Sequence, residues 1–191
     1  MKLNEPQIKT AVLNQLRRAK RIDGSSIVTS ELPLVGTGVR ADLAFLAKKR
    51  MVGVEIKSDF DSLRRLRRQM DVYIHYFDLT ILVLGETTSR KVDLVDYPDV
   101  EVWALREGKL KKVQGAKLRP QPPDRPISTL FHKRFVETSR RFWLHVNGRT
   151  ITTEDLNLLS RYHDRRVMGR KIESLYEQSL ISWKKASEPS D

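Results

Sequence analysis

The chain has 191 residues, 39% of them hydrophobic and 31% charged, and a formal net charge of +12 from 36 Lys and Arg against 24 Asp and Glu. That length suits one domain with a core of its own, with or without an appendage, and the composition excludes a disordered chain. Cysteine is absent, which excludes disulfides and thiolate metal sites, and no apolar run approaches the ~20 residues of a membrane span. The excess positive charge favours polyanionic partners, nucleic acid first and anionic membrane second. The opening "MKLNEPQIKT" lacks the apolar stretch of a secretory signal. With no cysteine, the expected location is the cytoplasm, with no membrane partner.

Residues 5–21 are expected to form an amphipathic helix. Ile8, Val12, Leu13 and Leu16 make its apolar stripe, and Arg17, Arg18, Lys20 and Arg21 crowd a last turn whose dipole suits cations. "DGSS" breaks the chain, and "SIVTSELPL" predicts a strand in which Pro33 marks an edge or an end. "GTG" (36–38) lacks the strand-then-helix context of a phosphate loop and reads as a turn. Strands follow over 39–47 and 51–57, separated by "AKKR". A helix is expected over 59–77, with Ser58 and Asp61 as a variant capping box and Leu63, Leu66, Met70, Tyr73 and Phe77 at helical spacing. "LTILVLG" (79–85) has the unbroken apolarity of a strand inside a covered sheet. "VEVWALREGKLKKV" predicts a hairpin turning at "EGK". Residues 1–118 thus read as a mixed α/β core: helix, three-stranded meander, helix, strand, hairpin. "RPQPPDRP" (119–126) has four prolines in eight residues and reads as a linker. Residues 127–185 read as three helical segments, the second opening with a cap at Thr152–Asp155 or Thr153–Leu156. Residues 186–191 read as a frayed end. Three roles are open to the helical region: a homodimer interface, a DNA clamp, or a cap on the sheet.

The stretch "RADLAFLAKKRMVGVEIKS" (40–58) carries the chemistry. Residues two apart in a strand share a face, so Glu55 and Lys57 point one way while Val52, Val54 and Ile56 point the other. A turn centred on Lys48 and Lys49 pairs residues whose numbers sum to 97. That register sets Asp42 opposite Glu55, with Cβ atoms about 4.5–5.5 Å apart. Two opposed carboxylates destabilise a sheet, and burial adds to the cost. A hard divalent cation between them removes both penalties. Lys57 lies about 6.5–7 Å further along the same face, where it can orient a water or neutralise a phosphate. Taken alone, an E-x-K triplet is the ordinary pattern of a solvated strand with a cross-strand ion pair. The conjunction of acid, hairpin, acid, apolar residue, lysine and helix is not ordinary.

Asp42, a twelve-residue spacing and "EIK" (Glu55, Ile56, Lys57) resemble the PD-(D/E)XK phosphodiesterase superfamily. Gln69 and Tyr73 in "QMDVY" match the Gln-x-x-x-Tyr motif of many members. The wider string, from Glu31 through "G-x-R-A-D-L", "V-E-I-K-S-x-x-D" and "FD", looks like the small bacterial and phage branch that includes the MmcB-type DNA-repair proteins. The resemblance covers roughly residues 1–110 and implies a restriction-endonuclease-like core. It also implies a nuclease acting on DNA with Mg²⁺ or Mn²⁺. Asp42 and Glu55 would be metal ligands, with the Ile56 carbonyl and Glu31 as further ligands, and Lys57 would be the catalytic lysine. Gln69 and Tyr73 would support the site or touch substrate. Ala41 stands where the family has proline.

Arg64, Arg65, Arg67 and Arg68 form a basic cluster which, with Arg40, is expected to contact DNA phosphates. His75, His132, His145 and His163 show no metal-ligand spacing. Trp103, Trp143 and Trp183 read as packing anchors. Two other functions fit the same pattern: a non-catalytic DNA-binding or repair accessory protein, and a dimeric resolvase acting on branched DNA.

Overall fold

The computed structural model describes residues 2–34, 36–48, 50–116 and 133–160. Helix α1 (Glu5–Arg18) opens with a reciprocal cap: Asn4 accepts from the Gln7 amide, the Gln7 side chain accepts from the Asn4 amide, and Pro6 follows in the first turn. It ends at Arg18, three residues short of the expected end. Lys20 adopts a left-handed φ of 53°, and Arg21 turns back to pair with Glu101 and lie over the Trp103 ring.

Strands β1 (Ile27–Leu34), β2 (Val39–Ala47) and β3 (Arg50–Lys57) form the expected meander. Strands β4 (Leu79–Leu84), β5 (Glu101–Arg106) and β6 (Lys109–Gln114) extend it into one six-stranded sheet in sequence order. The β1–β2, β2–β3 and β5–β6 pairs are antiparallel, while β3–β4 and β4–β5 are parallel. The protein is therefore a mixed α/β structure. Leu43 pairs with Val54 and Ala47 with Arg50, the register expected from the sequence. Pro33 lies on the edge strand β1, where its missing amide costs no ladder bond.

From Leu43 through β3 and β4, side chains alternate between the two faces of the sheet, and the alternation breaks between Ala41 and Leu43 on β2 and between Val28 and Leu32 on β1. Leu43, Phe45, Val52, Val54, Ile56, Ile81 and Val83 pack with Ile8, Val12, Leu13 and Leu16 of α1. Ala44, Met51, Leu82 and Leu84 pack instead with Leu66, Met70, Tyr73 and Phe77. Those four come from α2 (Leu66–Tyr76) and the residue after it. The Phe77 ring lies so close over Gly53 that a Cβ there would sit 2.2 Å from it.

The second helix starts seven residues later than its apolar spacing predicts. Asp61 accepts from the Ser58 amide and hydroxyl, and Asp59 accepts from the Thr87 and Thr88 amides. These short acids bind backbone outside a helix, so residues 58–65 form an anchored loop.

Helix α3 (Lys133–Val146) packs on the edge strand. Ser139 Oγ accepts from the Val28 amide and donates to the Ser26 carbonyl, which also takes the Trp143 indole N–H. Phe142 and Val146 join the α1-side core, as do Leu156 and Leu159 of the short α4 (Leu156–Ser160). The described part of the helical region thus caps the sheet and shares its core. The proline-rich linker, the third helical segment, the frayed end, His132, His163 and Trp183 lie outside the described residues. No helix among the described residues is long and apolar enough to cross a membrane.

Candidate active site

The β1–β2 register holds a constant sum of 73 on both sides of Glu31, from Ser30–Leu43 to Leu32–Ala41, which sets Glu31 across from Asp42. The β2–β3 register, continued one residue past Leu43–Val54, sets Asp42 across from Glu55. Three neighbouring strands therefore carry Glu31, Asp42 and Glu55 in one row. Glu31 itself has φ of 56°, a left-handed conformation inside a strand. Such backbone costs of order 1–3 kcal/mol and persists where surrounding contacts fix it.

Those contacts come from α1 and from β2. Lys9 Nζ pairs with Glu31 and with Glu5, the latter at 2.7 Å, while Arg40 Nε sits 2.8 Å from the other Glu31 oxygen. Carboxylate oxygens of Glu5, Glu31 and Asp42 all lie within 4.8 Å of one another. Where the β2–β3 ladder stops, Asp42 Oδ2 accepts from the Ile56 amide at 2.6 Å. Ile56, expected to offer a carbonyl to a metal, thus meets Asp42 through its N–H.

Glu55 is turned the other way, toward α2. Its Oε1 is 2.6 Å from Lys57 Nζ, and its Oε2 accepts from the Tyr73 hydroxyl at 2.6 Å. The same hydroxyl accepts from the Asp42 amide at 3.3 Å, so Tyr73 ties the two strands together. One turn earlier on α2, the Gln69 side-chain carbonyl oxygen is buried without a hydrogen-bond partner.

Burial first, and Glu55 second, push the Asp42 carboxyl well above the usual carboxylate range, against the pull of Lys9. Burial, Glu55 and Asp42 likewise raise the Tyr73 phenol, which keeps it a donor. Burial alone would lower the Lys9 ammonium, but its bonds to Glu31 and Glu5 outweigh that and raise it. The donors are all hard oxygens, the set that Mg²⁺ and Mn²⁺ prefer, so the residues present fit such an ion.

The expected core of the site, Asp42, Glu55, Lys57, Glu31 and Tyr73, is brought together. The expected phosphate contacts lie around it. Arg64, Arg65, Arg67 and Arg68 are exposed at the start of α2, with Arg67 bonded to the Asp96 carbonyl and Arg68 to the Thr37 carbonyl. Glu5 and Lys9 were not anticipated. A signal for Lys9 existed: it lies three, four and seven residues before Val12, Leu13 and Leu16, which places a lysine on the buried stripe, with Glu5 one turn earlier.

Comparison with known proteins finds a phage protein among the chain's relatives. It is 31% identical over 100 residues to protein cII of Enterobacteria phage P4, an alignment covering 52% of this chain and 37% of that protein. The chain thus spans well under half the length of that relative. A protein of unknown function from Silicibacter pomeroyi has a similar fold, with a TM-score of 0.52 and 17% identity over 78% of this chain and 94% of the other. The model of the family described as bacteriophage P4 protein cII matches residues 1–127, and the chain belongs to that family.

Proposed function

We propose that the protein is a metal-dependent nuclease of the PD-(D/E)XK type, hydrolysing phosphodiester bonds in DNA during repair, recombination or phage DNA metabolism. One observation carries this reading. A half-buried carboxyl at Asp42 lies beside a buried one at Glu55, whose own oxygens are committed to Lys57 and Tyr73. A fold gains no stability from such an arrangement by itself. The order of elements around it, from α1 through the meander to α2 and β4, agrees with a restriction-endonuclease-like core.

Glu5, Glu31 and Asp42 would hold Mg²⁺ or Mn²⁺, while Glu55, turned toward α2, would hold Lys57 beside them. The ion, when bound, supplies Lewis-acid charge at a phosphoryl oxygen and lowers the pKa of water. The chain's own groups do the rest. Glu55 holds the Lys57 ammonium, which would stabilise charge on the phosphate and steady the attacking water. Tyr73 fixes Glu55 in turn. The exposed arginines of α2 hold the sugar-phosphate backbone without reading bases.

A second reading has an observation of its own. Lys9, Arg40 and Lys57 already pair with Glu5, Glu31 and Glu55, so the cluster is largely neutralised by the chain's own cations. That favours a DNA-binding accessory protein on the same fold. A cleavage assay separates the two. Linear, circular and branched DNA are incubated with and without Mg²⁺ or Mn²⁺, with wild type beside Lys57→Ala. The nuclease reading expects metal-dependent cutting that falls about 10²–10³-fold in the variant, the usual cost of losing one group aimed at developing charge. Salt-sensitive binding by both proteins with no cutting on any substrate would establish the accessory protein.

A further inference from the structure

We propose that Phe60 is a stacking platform for an unpaired nucleobase at the rim of this site, so that the strand presented to it is single-stranded, flapped or frayed. The inference rests on the reading that the protein binds nucleic acid, and it names the form of nucleic acid bound.

Phe60 is 71% exposed, whereas Phe45, Phe77 and Phe142 are each buried to 2% or less. The loop that carries it is anchored from both sides. The Phe60 amide donates to Ser58 Oγ, Asp61 ties back to Ser58, and Asp59 Oδ1 takes the Thr87 and Thr88 amides at 2.8 and 2.9 Å. Gly85 lies directly against this loop, where a Cβ would sit 2.7 Å from the Asp59 backbone nitrogen. An apolar ring held out by a fixed loop contributes nothing to the core. The anchored loop leaves little backbone freedom to lose when the ring meets a ligand.

Two independent stretches of chain lead from the ring to the elements that carry the acids. Phe60 comes three residues after Lys57, at the end of β3. Lys2, three residues before Glu5 and the start of α1, sets its Nζ 5.9 Å from the ring centroid. Lys2, at the ring, is exposed, as are Arg64 and Arg65 four and five residues further along the chain, all cations suited to phosphates. A single aromatic among cations is too small for a protein interface, which needs roughly 800 Å² per partner. It suits one base, since base–aromatic stacking is worth about 1–3 kcal/mol and tolerates any sequence. Closed duplex keeps its bases stacked inside and offers the ring nothing.

The test is equilibrium binding of the full chain in EDTA, where cutting cannot interfere. Fluorescein-labelled oligo-dT, a flapped duplex and a blunt duplex are titrated with wild type, Phe60→Ala and Phe60→Trp. Stacking predicts that Phe60→Ala weakens the oligo-dT and flapped complexes about tenfold, equivalent to about 1.4 kcal/mol. The blunt duplex should change by less than about twofold, and Phe60→Trp should bind like wild type. Melting curves of all three proteins confirm equal folding. Equal loss on every substrate, no loss on any, or a wild type that binds only blunt duplex overturns the proposal. Failure of the nuclease reading looks different: Phe60-dependent binding of single strands would persist, and the metal-dependent cutting assay would stay blank.

Discussion

Two aspartates in this molecule are held away from bulk water in opposite ways. Asp155, at the start of α4, is bound by both guanidinium nitrogens of Arg149, at 2.6 and 2.9 Å, by the Thr152 amide and hydroxyl, and by His145 at 3.1 Å. The Arg149 hydrogen bonds, joined by those from Thr152, hold its carboxyl far below the usual range despite burial. Asp42 has the single Ile56 amide, a second carboxyl as neighbour, and a carboxyl pushed up. The difference teaches how to read buried charge. Asp155 is solvated by the protein and stabilises the junction of α3 with α4. Asp42 is left under-solvated by the fold, the environment that makes a perturbed group a candidate for function.

The largest expected effects come from exchanging charge at these two positions. Asp42→Asn keeps an oxygen for the Ile56 amide and removes the carboxylate. Cutting should fall at least about 10²-fold, while Tm in EDTA at neutral pH stays level or rises. Asp155→Ala should leave cutting intact below its melting transition. It strands the Thr152 amide and the Arg149 fork at a cost of about 1–3 kcal/mol, or a Tm lower by about 2–12 °C for a chain of this size. The pH dependence has opposite signs. The lowered carboxyl of Asp155 contributes stability that is fully present above its unfolded value, near 3.9, and is lost as pH falls toward the folded one. The raised carboxyl of Asp42 favours folding at acid pH, and that contribution is lost as pH climbs through its folded value. Thermal melts from pH 3 to pH 8 should therefore show the Asp155→Ala deficit closing toward acid. The Asp42→Asn curve should part from wild type only toward neutral. A deficit of the same sign in both variants at neutral pH would erase the distinction.

How much of this was legible follows from what each feature depends on. Sheet register depends on local pattern and turn length, so the pairing of Leu43 with Val54 and the row through Asp42 and Glu55 could be read from residues 40–58. Helix ends depend on what short polar side chains find in space. Asp59 finds the Thr87 and Thr88 amides, from a loop nearly thirty residues on, and the apolar spacing from Leu63 to Phe77 carries no trace of that. Glu31 was legible as an acid but not as a left-handed residue, because its partners Lys9 and Arg40 come from two other elements of the fold. Glu5 entered the site through the packing of α1 across the sheet, a contact between residues far apart in the chain.

Lys9 sharpens the comparison furthest, though with the smallest effect. It is the nearest thing Asp42 has to Arg149, yet it pairs with Glu5 and Glu31 and acts on Asp42 only through space. Its ammonium lies among the oxygens where a divalent cation would be held. If the cluster is a binding site, lysine and metal compete for it. Lys9→Met should then lower Tm in EDTA by a few degrees, at a cost of about 1–2 kcal/mol for unpaired acids. Mn²⁺ should restore the loss and bind the variant roughly tenfold more tightly than wild type, a gain of about 1.4 kcal/mol. Titration calorimetry and melts with and without Mn²⁺ measure both. A deficit that Mn²⁺ leaves untouched, with unchanged affinity, would make Lys9 a structural cation like Arg149. Glu5 and Glu31 would then belong with Asp155, among the acids that serve the fold.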